Sequence, residues 1–435
     1  MATDTSGVLA RMSPVAETRR RFLSALAALP LAGGLAGAVT GPNAALARKR
    51  RPAAGVRPEG KKRKKKCRRK SVATVCAGVC GPVRNRRTCK KTVDCGGCNA
   101  PGQRCCGGTC QTLGWVNQTT AGSQGAGPGQ FTKPLAVALA ADGLTAWVAD
   151  TDNNRIAVWT RPDSGSTAWT HLTSFGTLGA GANQLSGPSG VAASPDGLTV
   201  WVADSSNHRI SVWTRPGPGS AIWTNQTTFG VFGANTNQFK FPSGVAASPN
   251  GLTAWVADDF NDRISVWTRL DASSTAWTNQ TVFGTPGNGA SQLDGPGGLA
   301  VSVDGLTVWI GDGSNNRISI WTRPGAASTA WANQTSFGSF GSGVDQFKGT
   351  SGVAVSSDAR TLWVADAGNF RIDVWTRPDA GSTAWTPQTT IGVQGSGLGQ
   401  LSAAYGVAVT GDSQTIMVAD TFNHRLSVWG AVCPA

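Results

Sequence analysis

Glutamate is almost missing from this chain: it occurs twice in 435 residues, at Glu17 and Glu59. Charged residues of every kind reach only 14%, and strong helix formers are scarce. Abundant Val, Thr and Trp between glycine-rich breaks favour strands instead. Histidine occurs three times, at His171, His208 and His424, and tyrosine once, at Tyr405. A catalytic zinc site needs about three converging protein ligands, and these histidines do not supply them. No G-x-S-x-G elbow marks a serine nucleophile. After residue 47 no apolar run is long enough to cross a bilayer.

What is present is unevenly spread. Residues 48 to 112 carry 20 Lys or Arg against 2 acids, whereas residues 113 to 435 carry 15 against 20. The net charge of +15 therefore belongs to the N-terminal part. Nine of the ten cysteines also fall between Cys67 and Cys110.

Residues 1–47 read as an address. Thr18-Arg19-Arg20-Arg21-Phe22-Leu23 resembles the twin-arginine export motif, and an apolar run and the small-residue site Ala45-Leu46-Ala47 follow it. That order describes a cleavable signal of the twin-arginine variety rather than a retained anchor. The expected destination is outside the cytoplasm, extracellular or at the cell surface. Residues 48–66, RKRRPAAGVRPEGKKRKKK, form a basic arm that cannot bury a core. Its expected partner is an anionic cell-surface polymer or lipid; the alternative is a solvated spacer.

Residues 67–112 hold Cys67, Cys76, Cys80, Cys89, Cys95, Cys98, Cys105, Cys106 and Cys110, with no His. So small an exported segment calls for disulfides rather than zinc. Nine is odd, and the tenth, Cys433 in the 432–435 tail, can supply the last partner. Spacing does not give the connectivity.

Residues 113–431 repeat. Copies of the stretch from Ser189 to Arg215 place an aspartate at Asp150, Asp204, Asp258, Asp312, Asp366 and Asp420, each 54 residues after the last. In the second copy four β-type runs cover 190–193, 199–203, 209–214 and 222–229, with Pro195-Asp196-Gly197 as a turn. Four antiparallel strands per unit, radially repeated, describe a propeller blade. All 17 tryptophans fall at three phases of the repeat, which assigns them to packing between blades. The sixth unit stops after its third strand, at Trp429. Trp115-Val116-Asn117-Gln118-Thr119-Thr120 matches the fourth strand Trp223-Thr224-Asn225-Gln226-Thr227-Thr228. The N-terminal piece should complete blade six and remove an exposed edge. The fold class is thus all-β: one six-bladed β-propeller, preceded by a small disulfide-rich module. The two or three domains that this length allows as a prior give way to the repeat.

The pattern GVAxSPDGxTxWVADxxNxRISVW resembles the NHL repeat. NHL and related propellers bind protein or RNA, or act as hydrolases or lyases with a metal in the central funnel, so the resemblance alone does not settle function. Lactonase-like relatives use a glutamate among their calcium ligands, and the repeats contain none. Peptide-amidating lyases hold zinc with several histidines, and those present do not converge.

The D-x-x-N-x-R turn recurs in all six units as Asp150/Arg155, Asp204/Arg209, Asp258/Arg263, Asp312/Arg317, Asp366/Arg371 and Asp420/Arg425. Sixfold identity marks a fold device: the aspartate is expected to fix its turn through backbone N–H groups, with the arginine paired to it or to the next blade. Asp150-x-Asp152-x-Asn154 opens like a calcium loop, but Arg155 stands where the loop needs glycine. The N-Q-T triplets at Asn117, Asn225, Asn279 and Asn333 are fourth-strand residues.

Function is sought in what differs between copies. His208, Phe260, Asp262, Phe370, Phe422 and His424 occupy variable turn positions. Phe131, Phe239, Phe241, Phe347 and Tyr405 lie on the loops entering the blades. Aromatics on irregular loops mark an interaction surface. The expected function is non-catalytic binding or scaffolding of a protein or small-molecule ligand on this face, by a monomer, with no cofactor, no metal and no specific nucleic acid. The alternatives are a funnel-metal hydrolase or lyase, and a ubiquitin-ligase-like or RNA-binding protein. The acidic repeats, the His-free cysteine module and the export signal oppose the latter.

Overall fold

The computed structural model describes residues 82–84, 92–94, 103–106 and 109–433. The export signal, the basic arm and most of the cysteine module, with the readings made for them, lie outside the described residues.

Alternating strand-forming runs and repeated turns produce six four-stranded antiparallel sheets. In blade two the strands are Pro188–Ala193, Thr199–Asp204, Arg209–Thr214 and Thr224–Phe229, the innermost first. The turn between the first two is closed by Gly197 at φ 65° and by the Asp196 carboxylate, which accepts from the Leu198 amide at 2.9 Å. In every blade the register of the third and fourth strands shifts once, between Val212 and Trp213 in blade two. Among the described residues there is no α-helix; the D-x-x-N-x-R turns are short 3-10 segments in five blades, blade four being the exception.

Blade six is assembled from both ends of the chain. Ala404–Val409, Thr415–Asp420 and Arg425–Val432 are completed by Gly114–Ala121, with Leu426 opposite Ala121 and Val432 opposite Gly114. The closure expected from the Trp115–Thr120 match is therefore present. Beside it, Cys106 and Cys433 form a disulfide with their Cα atoms 5.6 Å apart. Cys433 thus ties the N-terminal module to the end of the ring.

Antiparallel order gives the disc two faces. The D-x-x-N-x-R turns and the loops entering each blade share one, the loop face. The P-D-G hairpins, the third-to-fourth strand connections and the Cys106–Cys433 bridge share the other, the hairpin face.

The innermost strands meet around the axis so closely that five blades carry glycine at one phase, Gly190, Gly244, Gly298, Gly352 and Gly406, and blade one carries Ala136. A Cβ on Gly190 would lie 2.7 Å from the Ser243 carbonyl oxygen, and one on Gly352 would lie 2.6 Å from that of Tyr405. The core is a set of wedges between blades. Trp147, Ile156 and Val158 of blade one, for example, pack against Val200, Val202, Trp213 and Trp223 of blade two. Each Trp brings about 150–250 Å² of burial, and truncating one costs about 3–5 kcal/mol. The tryptophans therefore hold the ring together. Blade six carries Met417 where the other blades have Trp147, Trp201, Trp255, Trp309 and Trp363, and it packs in the wedge with Trp159 and Phe131.

Candidate functional site

The recurrent aspartate does not hold its turn through that turn's own backbone N–H groups, as expected, but through a side chain of the turn and an amide of the entering loop. Asp150 Oδ1 accepts from the Thr132 amide at 2.7 Å, a residue of the incoming loop 18 positions upstream. Its Oδ2 accepts from Asn153 and from Arg155 Nε, each at 2.8 Å. The arginine then donates to three loop carbonyls, Ala126 at 2.7 Å, Gly127 at 3.0 Å and Gln130 at 2.9 Å. The same geometry holds in blade two, where Asp204 takes the Ser186 amide and Arg209 pins Ala180, Gly181 and Gln184. Arg263, Arg371 and Arg425 repeat it on Asp258, Asp366 and Asp420.

Blade four keeps the arrangement although its turn is not a 3-10 segment. Arg317 Nε meets Asp312 at 2.7 Å, and its other nitrogens donate to Asn288 and Gly289 at 2.8 Å and to Gln292 at 2.7 Å. Of the two expected partners for the arginine, its own aspartate and the next blade, the structure shows the aspartate in all six blades. The Arg317 side chain serves only its own aspartate and its own entering loop, because the buried carboxylate and three loop carbonyls take up its donors. What crosses to the next blade is the Arg317 backbone, whose carbonyl accepts from the Thr350 hydroxyl at 3.2 Å.

The D-x-x-N-x-R triple is therefore a staple for the entering loop. Every one of these aspartates is fully buried. Burial pushes its carboxyl above the usual range, and the loop amide, the asparagine and the arginine pull it back down.

Blade five departs from this pattern. Its third strand carries Asp373 where the other blades have Ala157, Ser211, Ser265, Ser319 and Ser427. Asp373 is buried, and Arg371 Nε serves both it and Asp366 at 3.2 Å. Burial first, and the neighbouring Asp366 charge second, push the Asp373 carboxyl up to about 8. A fourth-strand residue changes as well. Asn225 and Asn279 donate to Ser211 and Ser265 at 2.7 Å, whereas the same phase holds Pro387 in blade five and, in blade one, His171, which lies opposite Trp159 and bonds Ser174 at 2.9 Å.

The variable turn positions have a structural task as well. Asn154, His208, Asp262, Asn316, Phe370 and His424 all adopt left-handed backbone, with φ between 52° and 58°. Five of them accept a hydrogen bond from the next blade's entering loop. Asn154 takes Gly187, Asp262 takes Gly295 and Asn316 takes Gly349. His208 Nδ1 takes the Phe241 amide at 3.2 Å and His424 Nδ1 the Lys133 amide at 3.1 Å. Both imidazoles must then be neutral with the proton on Nε2. Burial holds each below the usual histidine range, with Lys240 beside His208 and Lys133 beside His424 adding to the effect. Asp150 and Asp152 oppose it at His424.

The entering-loop aromatics divide in two. Phe131, Phe239 and Phe347, read from sequence as surface aromatics, are wholly buried. They fill the wedges, Phe131 stacking on Trp159 at 5.4 Å and Phe239 lying 5.5 Å from Trp267. The structure gathers the rest into small groups. His208 lies 4.7 Å from Phe232 and 4.5 Å from Phe241; Phe241 continues to Phe260 at 5.0 Å, over which Lys240 Nζ sits at 5.9 Å. Tyr405, read from sequence as a loop residue, lies in the inner strand Ala404–Val409 and meets Phe422 edge to face at 6.5 Å, while Phe370 stands apart from both groups. Asp152 forms an ion pair with Lys133 at 3.1 Å.

Residues that the sequence reading did not single out are more exposed. Leu178, Phe232, Pro286 and Phe340 occupy one phase of four successive loops, and all four are exposed. The loops of blades one and six hold Gln124 and Gln394 at that phase. The signal was available, because this position varies among the repeats while Phe131, Leu185, Phe239, Leu293, Phe347 and Leu401 are always large and apolar after a glutamine.

The axial channel holds about 90 Å³, lined by inner-strand backbone with Leu135, Ser189, Ser243, Ser351 and Tyr405. Its lining includes no carboxylate and no imidazole. Among the described residues no three His, Cys, Asp or Glu side chains gather into a metal-holding group. The funnel thus offers a metal no side-chain ligand of the usual kind.

Fold and repeat define a six-bladed β-propeller, and the NHL repeat family matches residues 185–213. No curated protein matches the chain. Among solved structures it is similar to a periplasmic gluconolactonase of Pseudomonas aeruginosa (16% identity over 73% of this chain and 92% of that one, TM-score 0.48). It is also similar to the Cps50 (Swd1) β-propeller domain of Myceliophteria thermophila (10% identity, 70% and 99%, TM-score 0.49). A third similar structure is hydrazine synthase of Kuenenia stuttgartiensis (13%, 68% and 95%, TM-score 0.45).

Proposed function

We propose that this is an exported binding or scaffold protein whose loop face carries the contact surface, with the basic arm directed to anionic cell-surface material. One observation carries the reading. Thirteen large hydrophobic side chains are exposed among the described residues, and eight of them lie on the loop face, including Leu178, Phe232, Phe340 and Val393. Exposing such groups costs solvation, so a rigid surface that presents them together is organised for a partner. The staples supply the rigidity, since each loop is held by buried charge-assisted bonds before any partner arrives.

The test is a photoreactive phenylalanine analogue at position 232 or 340 of the full chain in its native cells. A third version carries it at Leu270, exposed on the hairpin face. A shared crosslinked partner from 232 and 340 that is missing from 270, and whose binding to the purified protein is lost on Phe232→Ser with Phe340→Ser, supports the proposal. Equal labelling at 270, or no adduct from either loop position, would sink it.

A further inference from the structure

At the hairpin face an arginine follows the third strand of five blades: Arg161, Arg215, Arg269, Arg323 and Arg377. Each lies over tryptophan. Arg215 sits 5.9 Å from Trp147 of the preceding blade and 5.2 Å from Trp223 of its own; Arg377 sits 5.5 Å from Trp309 and 4.9 Å from Trp385. The guanidinium is anchored by a carbonyl, Arg377 Nε donating to Ala359 at 2.7 Å and Arg215 Nε to Gly197 at 2.8 Å.

The sixth position is Ala431. Its backbone keeps the arginine register, the Ala431 amide donating to the Gln414 carbonyl at 2.9 Å as that of Arg377 donates to Arg360 at 2.9 Å. The aromatic pair is also kept. Trp363 of blade five and Trp115 of blade six cross at 86° with centroids 6.0 Å apart, against 87° and 6.4 Å for Trp309 and Trp385. Only the cation is gone. A cavity of about 290 Å³ opens there, lined by Trp115, Trp363, Asp358, Asp412 and Ser413. Ser413 carries the carbonyl equivalent to that of Ala359. Arg360 also borders the cavity, but its Nη2 donates to the Pro378 carbonyl.

We propose that this seam is a binding site for an organic cation of the guanidinium class, which replaces in trans the arginine missing at position 431. Weakly hydrated planar cations suit an aromatic pair, whereas compact hydrated ions do not, and Asp358 and Asp412 supply the opposite charge. Two sources carry this chemistry. One is a basic side chain of this chain's own residues 48–70, a segment upstream of the Cys106–Cys433 bridge that ties the N-terminal part to the end of blade six. The other is a free or partner-borne arginine.

The probe is N-acetyl-arginine methylamide, with the uncharged citrulline analogue as control, titrated calorimetrically into the full chain. A second preparation has the basic residues of 48–70 replaced by glutamine. Uptake of the arginine probe but not the citrulline one by the full chain supports an external ligand. Uptake only by the glutamine-substituted chain supports occupancy by the chain's own arm. In either case Ala431→Arg should reduce probe affinity at least tenfold and raise Tm. Should that variant fail to fold, Ala431→Met fills the same space without charge and should weaken uptake equally. No uptake by either preparation, or undiminished uptake by a folded Ala431→Arg or Ala431→Met chain, overturns the proposal.

Discussion

The two faces of the disc use arginine in opposite ways. On the loop face each arginine meets a fully buried aspartate, 2.7–3.2 Å from its Nε, and gives its remaining donors to loop carbonyls. On the hairpin face each is carried on indole rings, with acids only at a distance. The first arrangement is stiff and stoichiometric, because a buried carboxylate must be matched by donors. The second tolerates loss, as the alanine in blade six shows. One face therefore holds its shape to present variable side chains, while the other can leave a position open.

That contrast can be broken experimentally, most severely at a staple. Asp258→Ala strands Arg263 and frees the loop before blade three, and should cost about 3–5 kcal/mol of unfolding free energy, the range for breaking a buried pair. Denaturant melts would show it; a loss under about 1 kcal/mol, the size of an exposed pair, would mean that the staple is ornamental.

Asp373→Ser restores the serine of the neighbouring blades and should stabilise by about 1–4 kcal/mol, increasingly toward alkaline pH. The sign follows from linkage. The folded carboxyl keeps its proton to about 8 against an ordinary 3.8, so the native state binds more protons and the wild type loses stability as pH rises between those values. Denaturant melts should show the variant gaining more over the wild type at pH 9 than at pH 5, and equal gains at the two would refute it.

Arg215→Met removes one hairpin-face cation but keeps apolar cover over Trp147 and Trp223. A loss of about 0.5–2 kcal/mol is expected, well below that of Asp258→Ala. Equal losses would erase the distinction between the faces.

His208→Asn with His424→Asn keeps an acceptor for the Phe241 and Lys133 amides. Both folded imidazoles titrate below the ordinary 6.5, so the unfolded chain binds more protons. The wild type should therefore lose stability as pH falls through 6.5, by at most about 0.5–1.5 kcal/mol per bond, less what partial exposure screens. The double variant should lose that slope. Smallest of all, Phe232→Ser should change stability by no more than about 0.5 kcal/mol.

The architecture was legible because it rests on period. Asp150 to Asp420 and the three tryptophan phases set blade number, strand order and the closing strand before any coordinate. The role of Phe131, Phe239 and Phe347 was misread because they lie on loops. Yet the glutamine followed by Phe or Leu repeats six times, and repetition already implied packing. Arg317 and its five equivalents were legible as a fold device, but not their carbonyl partners, which lie 25 to 29 residues upstream on a loop whose path the motif does not encode. His208 and His424 looked like surface variants since a sequence cannot show that Asn, Asp and His all accept one amide from left-handed backbone. Asp373 could not be paired with Asp366 and Arg371 without knowing that all three side chains converge on one side of the sheet.

The closing strand also sets a timetable. Asn117 bonds Ser427 across 310 residues, so Gly114–Ala121 is made before the other strands of the ring and its partner after them. At about 5–20 residues per second of synthesis, it waits roughly 15–60 s as an unpaired, threonine-rich edge. Through that interval the growing chain is an open crescent exposed at both ends, and the synthesis of Arg425–Val432 decides whether it becomes a ring or an adhesive. Its weakest moment is thus kinetic, and slowing elongation before Arg425–Val432 should be felt as aggregation rather than as a less stable native protein.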